Sequence, residues 1–346
     1  MSDSINKREM GVSVVICTYN AAEHLAAVLD ALLAQDETEN INWEILIVDN
    51  NSIDSTIKLI NLYQKNHKSN LIRLTVERQQ GQSYARMTGF RESMYEFISF
   101  VDQDNIVEGF WISKVFHTMK ANERAGACGG RTNGVLETEP SEWCRHLLYS
   151  LAVGSQFQCS GKSPSDVDCL WGAGMTVRAA ALEQIIRCGF SFCGSGRSGK
   201  ALMAGDDTEL CFALRLCNWN LLYDDDLLLK HLIPAGRLQW HYFRRLYRGF
   251  GMSDVPLAPY RQQLGHPRVL TTDSWVREVG RLIWQLAGWK NWYGWYCRLA
   301  GKEGSYSVLR IEKLLGSLSM LLRLRGEYGD MCARVREFSA RCKMSC

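Results

Sequence analysis

The sequence predicts an α/β fold in which a mostly parallel sheet carries helices on both faces. Over residues 12–102, apolar runs rich in β-branched residues alternate with amphipathic helical segments. The links between them are short, which is typical of right-handed crossovers between parallel strands. Polar residues follow three of the predicted strands, at the edge where such sheets bind their ligands.

The first four strands and three helices follow from these patterns in chain order. Residues 12–20 form a continuous apolar run, which is typical of a strand buried on both faces. Apolar residues at helical spacing follow over residues 20–35, and Asn20 is predicted as the N-cap of this helix. The further strands are predicted at 43–52, 71–77 and 97–102, and the further helices at 54–65 and 81–94.

The second half of the chain has a less regular pattern. Residues 168–189 predict a strand that leads into a helix, and residues 193–205 predict a loop rich in Gly and Ser. Residues 206–219 predict a helix with three acids in its first turn, where the helix dipole favours them.

The strand and helix alternation is lost from about residue 255. Residues 271–342 are helical in pattern and mix Trp, Leu and Arg. We therefore predict a domain boundary near residue 250, with a main domain at 1–250 and a helical C-terminal extension at 251–346.

The composition indicates a soluble globular protein, with 346 residues of which 46% are hydrophobic and 22% charged. A formal net charge of +3 is too small to indicate nucleic acid binding. The N-terminus lacks the apolar core of a signal peptide, and no apolar run approaches the length of a membrane span. The 13 cysteines form no C-x-x-C pair, so we expect reduced, mostly buried thiols in a cytosolic protein.

Seven sequence blocks carry a resemblance to a known family. They are "VSVVICTYN", "ILIVDNNSID", "GQSYARMTGFRES", "FVDQDN", "WGAGMTVR", "GDDTELC" and "HLIPAGRL". One block alone is a weak signal, but their order and spacing together are specific. Over about residues 11–250 the chain resembles a family 2 glycosyltransferase. The resemblance implies a GT-A type, Rossmann-like fold and an inverting transfer of sugar from a nucleotide-diphosphate donor.

The resemblance assigns a divalent cation to the acidic pair in "FVDQDN". The leaving nucleoside diphosphate gathers negative charge, which a hard cation held by carboxylates stabilises. Asp104 is the expected direct ligand of Mn²⁺ or Mg²⁺, and Asp102 is expected to bind through water or to contact the ribose and diphosphate. His231 in "HLIP" is the candidate third ligand or diphosphate contact. Taken without the other blocks, the two carboxylates are typical of a solvated acidic turn, and the histidine of a structural residue.

The same resemblance places the nucleotide at the ends of the first two strands. Thr18, Tyr19 and Asn20 are expected to line the pocket, and Asp49 to accept a hydrogen bond from the base. A carboxylate that recognises an imide N–H suits uracil or thymine, so a UDP-sugar is the expected donor, although guanine also offers N–H donors. Arg86 is expected near the diphosphate, with a surface ion pair as the alternative.

The block "GDDTELC" is expected to supply the catalytic base. An inverting transfer needs a carboxylate that takes the proton of the acceptor hydroxyl, and the matching residue is Asp207. Asp206 stands where the family usually has glutamate, and it is a candidate contact for the acceptor. In "WGAGM", Trp171 and Gly172 are candidates for contact with the donor sugar or the acceptor. Capping of the helix by the two aspartates, and core packing of the tryptophan, are the alternatives.

Two further segments have an expected role without a catalytic signature. Arg197 and Lys200 lie on the Gly/Ser loop and could close over the diphosphate. The extension at 251–346 suits a membrane-surface helix, a helical cap or a homodimer face. Because many acceptors of the family are lipid-linked glycans, we expect a cytoplasmic enzyme of surface polysaccharide synthesis, with peripheral contact at the inner face of the membrane.

Two other classes of protein are weighed against this interpretation. A sugar nucleotidyltransferase needs a glycine-rich, basic signature after its first strand, and "CTYN" lacks it. A non-catalytic protein that binds nucleotide sugars or glycans could use the same fold. The presence of Asp102, Asp104 and Asp207 favours an enzyme over such a protein.

Overall fold

Apolar strands from the N-terminal part of the chain form one half of a sheet that has eight strands among the described residues. The computed structural model describes residues 8–67, 71–156, 167–193, 205–266 and 274–345. The strands are β1 (Glu9–Thr18), β2 (Trp43–Asp49), β3 (Ile72–Val76), β4 (Tyr95–Phe100), β5 (Asn105–Val107), β6 (Ala125–Leu136), β7 (Thr176–Arg178) and β8 (Asn220–Ile233). Across the sheet their order is β3-β2-β1-β4-β7-β6-β8-β5.

The sheet is mixed, and its parallel part is the part that the sequence predicted. β1 lies between β2 and β4 and pairs in parallel with both, and β3 pairs in parallel with β2. Beyond β4, the β4–β7, β6–β7 and β5–β8 pairings are antiparallel. The predicted α/β fold with a mostly parallel sheet is confirmed.

The helices follow the strands in the order that the alternation indicates. Among the described residues the α-helices are α1 (Leu25–Leu33), α2 (Thr56–Asn66), α3 (Gln82–Glu92), α4 (Trp111–Ala121), α5 (Glu142–Arg145), α6 (Ala179–Arg187), α7 (Asp206–Leu216), α8 (Trp240–Gln263), α9 (Trp275–Ala287), α10 (Trp292–Leu299), α11 (Tyr306–Arg323) and α12 (Tyr328–Ser345). Within the described part of the chain, none of these helices combines the length and the apolar character that crossing a bilayer requires.

Helices cover both faces of the parallel part of the sheet. Alternate residues of β1 face opposite sides, as the period of a strand requires. Val14 and Ile16 pack with α1 and α4 in one buried cluster. On the other face, α3 comes so close to β1 that a Cβ added to Gly89 would overlap the side chain of Val15. This double covering explains why β1 is apolar along most of its length.

The predicted N-cap at Asn20 is wrong. α1 begins at Leu25, and its N-cap residue is His24. Asn20 instead adopts a left-handed backbone conformation with φ of 51°, which asparagine tolerates better than most residues. Its side-chain Oδ1 accepts a hydrogen bond from the backbone N–H of Ile53 at 2.9 Å. The polar residue therefore shapes the loop after β1 rather than the start of the helix.

The chain forms two compact units that interleave in sequence. The first unit comprises Met1–Val135, Ala152–Gln184 and Trp219–Leu232, and the second comprises Leu136–Leu151, Ile185–Asn218 and Ile233–Cys346. Helix α8 continues through residue 250, so the packing units do not divide there. The assignment of residues 1–250 to catalysis and of 251–346 to an extension stays a prediction about function.

A disulfide in the second unit corrects the expectation that the cysteines are all reduced thiols. Cys217, directly after α7, is bonded to Cys342 in α12. The two residues are 125 positions apart in sequence, and their Cα atoms are 4.8 Å apart. The sulfur atoms of Cys188, Cys217 and Cys342 all lie within 4.8 Å of one another. Only the fold brings these cysteines together, because no short sequence spacing relates them.

Helices α8 and α11 pack at close range through glycines in the second unit. A Cβ added to Gly251 would overlap the carbonyl oxygen of Lys313, and one added to Gly316 would overlap that of Arg248. The hydroxyl of Ser317 donates to the carbonyl oxygen of Gly251 at 2.9 Å. The absence of a side chain at the two glycines therefore sets the distance between the helices.

This packing predicts opposite effects of alanine at two helical glycines. Gly316→Ala should lower the free energy of unfolding by about 2 kcal/mol, because the helices must separate to admit the methyl group. Gly280→Ala in α9 is the matched control, since no atom lies within 4 Å of its added Cβ. That change should raise stability by about 0.5–1 kcal/mol through helix propensity. Denaturant unfolding of the two variants measures both values, and equal stability of the two would contradict the packing argument.

Candidate active site

The ends of β1 and β2 form a buried polar corner at the edge of the sheet. Thr18 and Asp49 are register partners at the last position of each strand. Both residues are buried, with 1% and 3% of their surface exposed. Oδ2 of Asp49 accepts the backbone N–H of Ser52 at 3.1 Å. Oδ1 of Asp49 and Oγ1 of Thr18 are buried without a hydrogen-bond partner. Such groups are rare in folded proteins and fit a pocket that a polar ligand completes.

The loop after β2 is held in place by the side chain of Asn50. Its Nδ2 donates to the carbonyl oxygens of Glu77 and Gln79, each at 2.8 Å. Its Oδ1 accepts the backbone N–H of Gly81 at 2.8 Å. One buried amide thus ties the end of β2 to the segment that leads into α3. The sequence argument singled out Asp49 and missed this supporting residue.

The residues after β1 are exposed and are joined to neighbouring loops. Tyr19 is 44% exposed, so its ring is not core packing. Its backbone N–H donates to Oε1 of Gln103 at 2.9 Å, which links the end of β1 to the acidic segment. The backbone N–H of Asn20 donates to Oγ of Ser52 at 3.0 Å. Three predicted pocket residues, Thr18, Tyr19 and Asn20, therefore lie beside Asp49 and the residues that follow it.

Asp102 lies against two side chains of α3. Oδ1 of Asp102 accepts Nε2 of Gln82 at 3.3 Å and lies 3.6 Å from a guanidinium nitrogen of Arg86. Arg86 is buried, with its guanidinium carbon 5.8 Å from the centre of the Phe100 ring. The arginine is therefore part of the polar cluster and not a solvent-exposed ion pair. Gln82 was not identified from the sequence, although it lies inside one of the quoted blocks.

Asp104 lies beside His231 because two antiparallel strands pair there. Asn105 of β5 is the register partner of His231 in β8, and the backbone N–H of Leu232 donates to the carbonyl oxygen of Asp104 at 2.9 Å. Nε2 of His231 lies 3.6 Å from Oδ2 of Asp104, and the side chains are 11% and 14% exposed. Strand β8 was not predicted, but it delivers the histidine to the predicted ligand.

This donor set fits a divalent cation of intermediate hardness. Carboxylate oxygens suit Mg²⁺ and Mn²⁺, and an imidazole nitrogen extends the range toward transition metals. Next to Asp104, the side chain of Asn105 is fully buried and its Oδ1 has no hydrogen-bond partner. Asp104 and His231 lie side by side and would hold such an ion, whereas binding by Asp102, whose carboxylate faces Gln82 and Arg86, stays a prediction.

The segment "WGAGM" packs within the first unit. The backbone N–H of Trp171 donates to Oε1 of Gln156 at 3.1 Å, and its ring is partly exposed. Gly172 is buried, and its carbonyl oxygen accepts the N–H of Met175 at 3.4 Å. A Cβ on Gly174, whose φ is +71°, would lie 2.7 Å from the ring of Trp111. The backbone conformation and the internal packing therefore explain why glycine occupies position 174. Contact of Trp171 or Gly172 with a sugar stays a prediction.

The acidic helix α7 belongs to the second unit. It begins at Asp206 directly after Gly205, whose φ is +125°. Oδ1 of Asp207 accepts the backbone N–H of Thr208 at 2.7 Å, and both aspartates are half-buried. The third acid of this turn, Glu209, is buried with only 5% of its surface exposed. Arg197 and Lys200, predicted to close over the diphosphate, lie outside the described residues.

Comparison with known proteins decides the family. The profile of the family described as Glycosyl transferase family 2 matches residues 13–186, about half of the chain. The chain belongs to glycosyltransferase family 2. The predicted family is thereby confirmed.

Relatives with established names match parts of this glycosyltransferase. Poly-beta-1,6-N-acetyl-D-glucosamine synthase of Staphylococcus epidermidis is 28% identical over 120 residues, which is 35% of this chain and 28% of the relative. Undecaprenyl-phosphate 4-deoxy-4-formamido-L-arabinose transferase of Yersinia pestis is 32% identical over 186 residues, 54% of each chain. The glycosyltransferase therefore spans about half or less of the length of these relatives.

A solved structure supports the fold of the glycosyltransferase. GalNAc-T7, crystallised with UDP, GalNAc and Mn²⁺, superposes with a TM-score of 0.50 at 12% identity, covering 73% of this chain and 51% of that one. At this identity the likeness concerns the fold alone, and it agrees with the predicted GT-A type.

The buried Glu209 of the glycosyltransferase has an unusual pKa. Burial raises the pKa of its carboxyl to about 7, although hydrogen bonds from Cys193 and Tyr260 oppose the shift. Both carboxylate oxygens accept the backbone N–H of Cys193, at 3.1 and 3.2 Å. The sequence showed three acids in one turn but gave no sign that this one points inward.

This raised pKa predicts that stability falls with rising pH. The folded state holds a proton on Glu209 up to about pH 7, whereas the unfolded carboxyl loses it near 4.5. Between these values the folded state binds more protons, so the free energy of unfolding decreases as pH rises. The loss is on the order of 3 kcal/mol. Glu209→Gln should remove it, and unfolding curves measured across this range give the value.

The exposed Glu327 provides the control for this prediction. Glu327→Gln should keep the pH dependence of the unmodified protein. If Glu209→Gln and the unmodified protein lose stability in parallel over the same range, the carboxyl of Glu209 does not hold the proton.

Proposed function

We propose that this glycosyltransferase is an inverting, metal-dependent enzyme that transfers a sugar from a UDP-sugar to a hydroxyl of a glycan or lipid-linked acceptor. The observation that carries the proposal is the polar edge of the sheet. There, Asp104 lies beside His231, and Asp102 lies beside Arg86. The parallel strands β1 and β2 end at the same edge in Thr18 and Asp49, whose buried oxygen atoms lack a hydrogen-bond partner.

The nucleotide assignment is supported by the buried corner at β1 and β2. Oδ1 of Asp49 is an acceptor that needs a donor, and Oγ1 of Thr18 can donate or accept. The imide N–H of uracil is a donor flanked by carbonyl acceptors, so one base satisfies both groups. A base that presents no N–H donor at this corner would leave the carboxylate oxygen of Asp49 buried and unpaired, which is costly.

The diphosphate assignment is supported by the charges at the next strand end. A bound Mn²⁺ or Mg²⁺ would offset the negative charge of the leaving UDP. Asp104, Asp102 and His231 would hold the ion, since they combine two carboxylates with one imidazole in partly buried positions. The guanidinium of Arg86, held beside Asp102, adds a fixed positive charge that favours the diphosphate.

The base in this proposal is Asp207. It occupies the first turn of α7, where the helix dipole stabilises a carboxylate. As the acceptor hydroxyl attacks the anomeric carbon, its proton passes to Asp207, and the bond from that carbon to the diphosphate oxygen breaks on the opposite face. Asp206, in the same turn, is proposed to position the acceptor hydroxyl.

The names of two relatives support a glycan or lipid-linked acceptor. One is a synthase of a poly-N-acetylglucosamine, and another transfers a sugar to undecaprenyl phosphate. We assign this enzyme to surface polysaccharide synthesis on that basis.

Removal of the metal ligand predicts loss of donor binding. In a panel of UDP-, GDP- and dTDP-sugars, the donors whose base carries an imide N–H should bind in the presence of Mn²⁺, and EDTA should abolish that binding. Asp104→Asn should lower the affinity by about tenfold or more, because the cation loses a charged ligand. Calorimetry with the donor panel measures this. Glu108→Gln is the control, since Glu108 is exposed and pairs with Lys230 at 3.2 Å. Equal donor binding with and without metal would reject the metal site.

Replacement of the base predicts a separation of binding from transfer. Asp207→Asn should bind the donor as the unmodified enzyme does but slow transfer by about 10²–10⁴-fold, since the amide cannot take the proton. The exposed Asp330→Asn change is the control and should leave the rate unchanged. Single-turnover transfer from radiolabelled donor gives the rates. Normal transfer by the Asp207 variant would remove it from the mechanism.

A further inference from the structure

Exposed apolar side chains are concentrated in one short segment of the second unit. Among the described residues, 20 large hydrophobic side chains are exposed, and eight of them lie between Val276 and Leu299. The three exposed tryptophans are all in this segment, with 73–80% of their surface accessible. Scattered exposed apolar residues are normal, but a group of this density marks an interaction site. We refer to the exposed apolar side chains of residues 276–299 as the aromatic surface.

Helix α9 has two apolar faces, of which only one is used in the protein core. Leu282 and Leu286 are buried, and Leu282 belongs to a cluster with residues of α8, α11 and α12. Val276, Ile283 and Trp284 lie on the outer side, with 70%, 52% and 77% of their surface exposed. Their spacing of seven and eight residues places them on one stripe of the helix. Folding of the unit therefore does not account for this second stripe.

Helix α10 repeats the arrangement over a shorter length. Gly294 and Cys297 face inward, and a Cβ on Gly294 would lie 2.8 Å from the carbonyl oxygen of Ser307. Trp292, Tyr296 and Leu299, spaced by four and three residues, are 73%, 58% and 83% exposed. The close inner packing fixes the rotation of the helix, so its outer side is held as a constant apolar face.

Positive charge is concentrated around the same surface. Residues 274–305 contain five Lys or Arg residues and two Glu residues, an excess equal to the net charge of +3 of the whole chain. One glutamate, Glu278, is buried and neutralised by Arg281 at 2.7 Å. The ammonium of Lys302 lies 5.1 Å from the centre of the Tyr296 ring. Arg298 is paired with the buried Glu312 at 3.2 Å, whereas Lys302 borders an aromatic ring, and the excess of basic residues in the segment favours a partner of negative charge.

We infer that the aromatic surface binds the interface of a bilayer that contains anionic phospholipids. Trp and Tyr prefer this interface because each ring combines an apolar body with one polar group. Lys and Arg at the border of an apolar stripe add attraction to anionic headgroups. Helices α9 and α10 then lie in the plane of the interface, in agreement with the absence of a spanning helix among the described residues.

Vesicle binding by the full chain tests this inference without reference to sugar transfer. The protein should sediment with vesicles of phosphatidylcholine and phosphatidylglycerol, bind pure phosphatidylcholine more weakly, and be released by added salt because charge is screened. The combined change Trp284→Ala, Trp289→Ala and Trp292→Ala should reduce binding to the anionic vesicles by about tenfold or more. Thermal unfolding of this variant should match that of the unmodified protein, because the three rings are exposed.

The control variant removes three exposed aromatic residues from other places, with Phe110→Ala, Tyr149→Ala and Tyr306→Ala. These side chains are 43%, 42% and 69% exposed. The control should keep full vesicle binding. The inference is overturned if the two triple variants bind vesicles equally. It is also overturned if no vesicle is bound and the tryptophan variant instead converts a dimer into a monomer in sedimentation velocity, since the surface would then bind a second copy of the chain.

Discussion

The parallel pairing of β1 with β2 and β4 is the constraint on which the candidate site depends. Seven consecutive register pairs join β1 to β2, and the last of them places Thr18 opposite Asp49. Because parallel strands end at the same edge, the polar residues after β1, β2 and β4 meet there. Close packing on both faces of β1 fixes this register, since a slip of one residue would exchange the side chains that fit α1 and α4 with those that fit α3.

The antiparallel part of the sheet adds a histidine to the candidate site. β5 is only three residues long and follows the acidic segment directly. Its pairing with β8 brings His231 beside Asp104 from a part of the chain more than a hundred residues away. The backbone hydrogen bond from Leu232 to Asp104 holds the two strands together at this point, and the imidazole of His231 lies beside the carboxylate of Asp104. The geometry of the acidic pair is thus set by strand pairing rather than by the flexibility of a loop.

The sequence predicted the strands and helices that have a recognisable local pattern of apolar residues. It missed the strands and contacts that depend on residues distant in sequence. Strands β1 to β4 are mostly apolar and therefore recognisable. β6 contains four glycines and β8 three consecutive aspartates, so neither has the composition of a strand. The site residues were found through motif order, whereas Asn50, Gln82 and Glu209 act through partners that no spacing indicates. The disulfide between Cys217 and Cys342 was missed for the same reason, since 125 positions separate the two cysteines.

In the first turn of α7, differences in burial give three carboxyl groups different tendencies to ionise. Asp206, Asp207 and Glu209 share the positive end of the helix dipole, which favours negative charge. Glu209 is buried, so desolvation opposes its ionisation, and the nearby charge of Asp206 acts in the same direction. When Glu209 is protonated it carries no charge, so the helix dipole stabilises the negative charges of the two aspartates, which are closer to solvent. The inner acid is therefore suited to holding the turn through the backbone of Cys193. The outer Asp207 is the residue that we propose as the base.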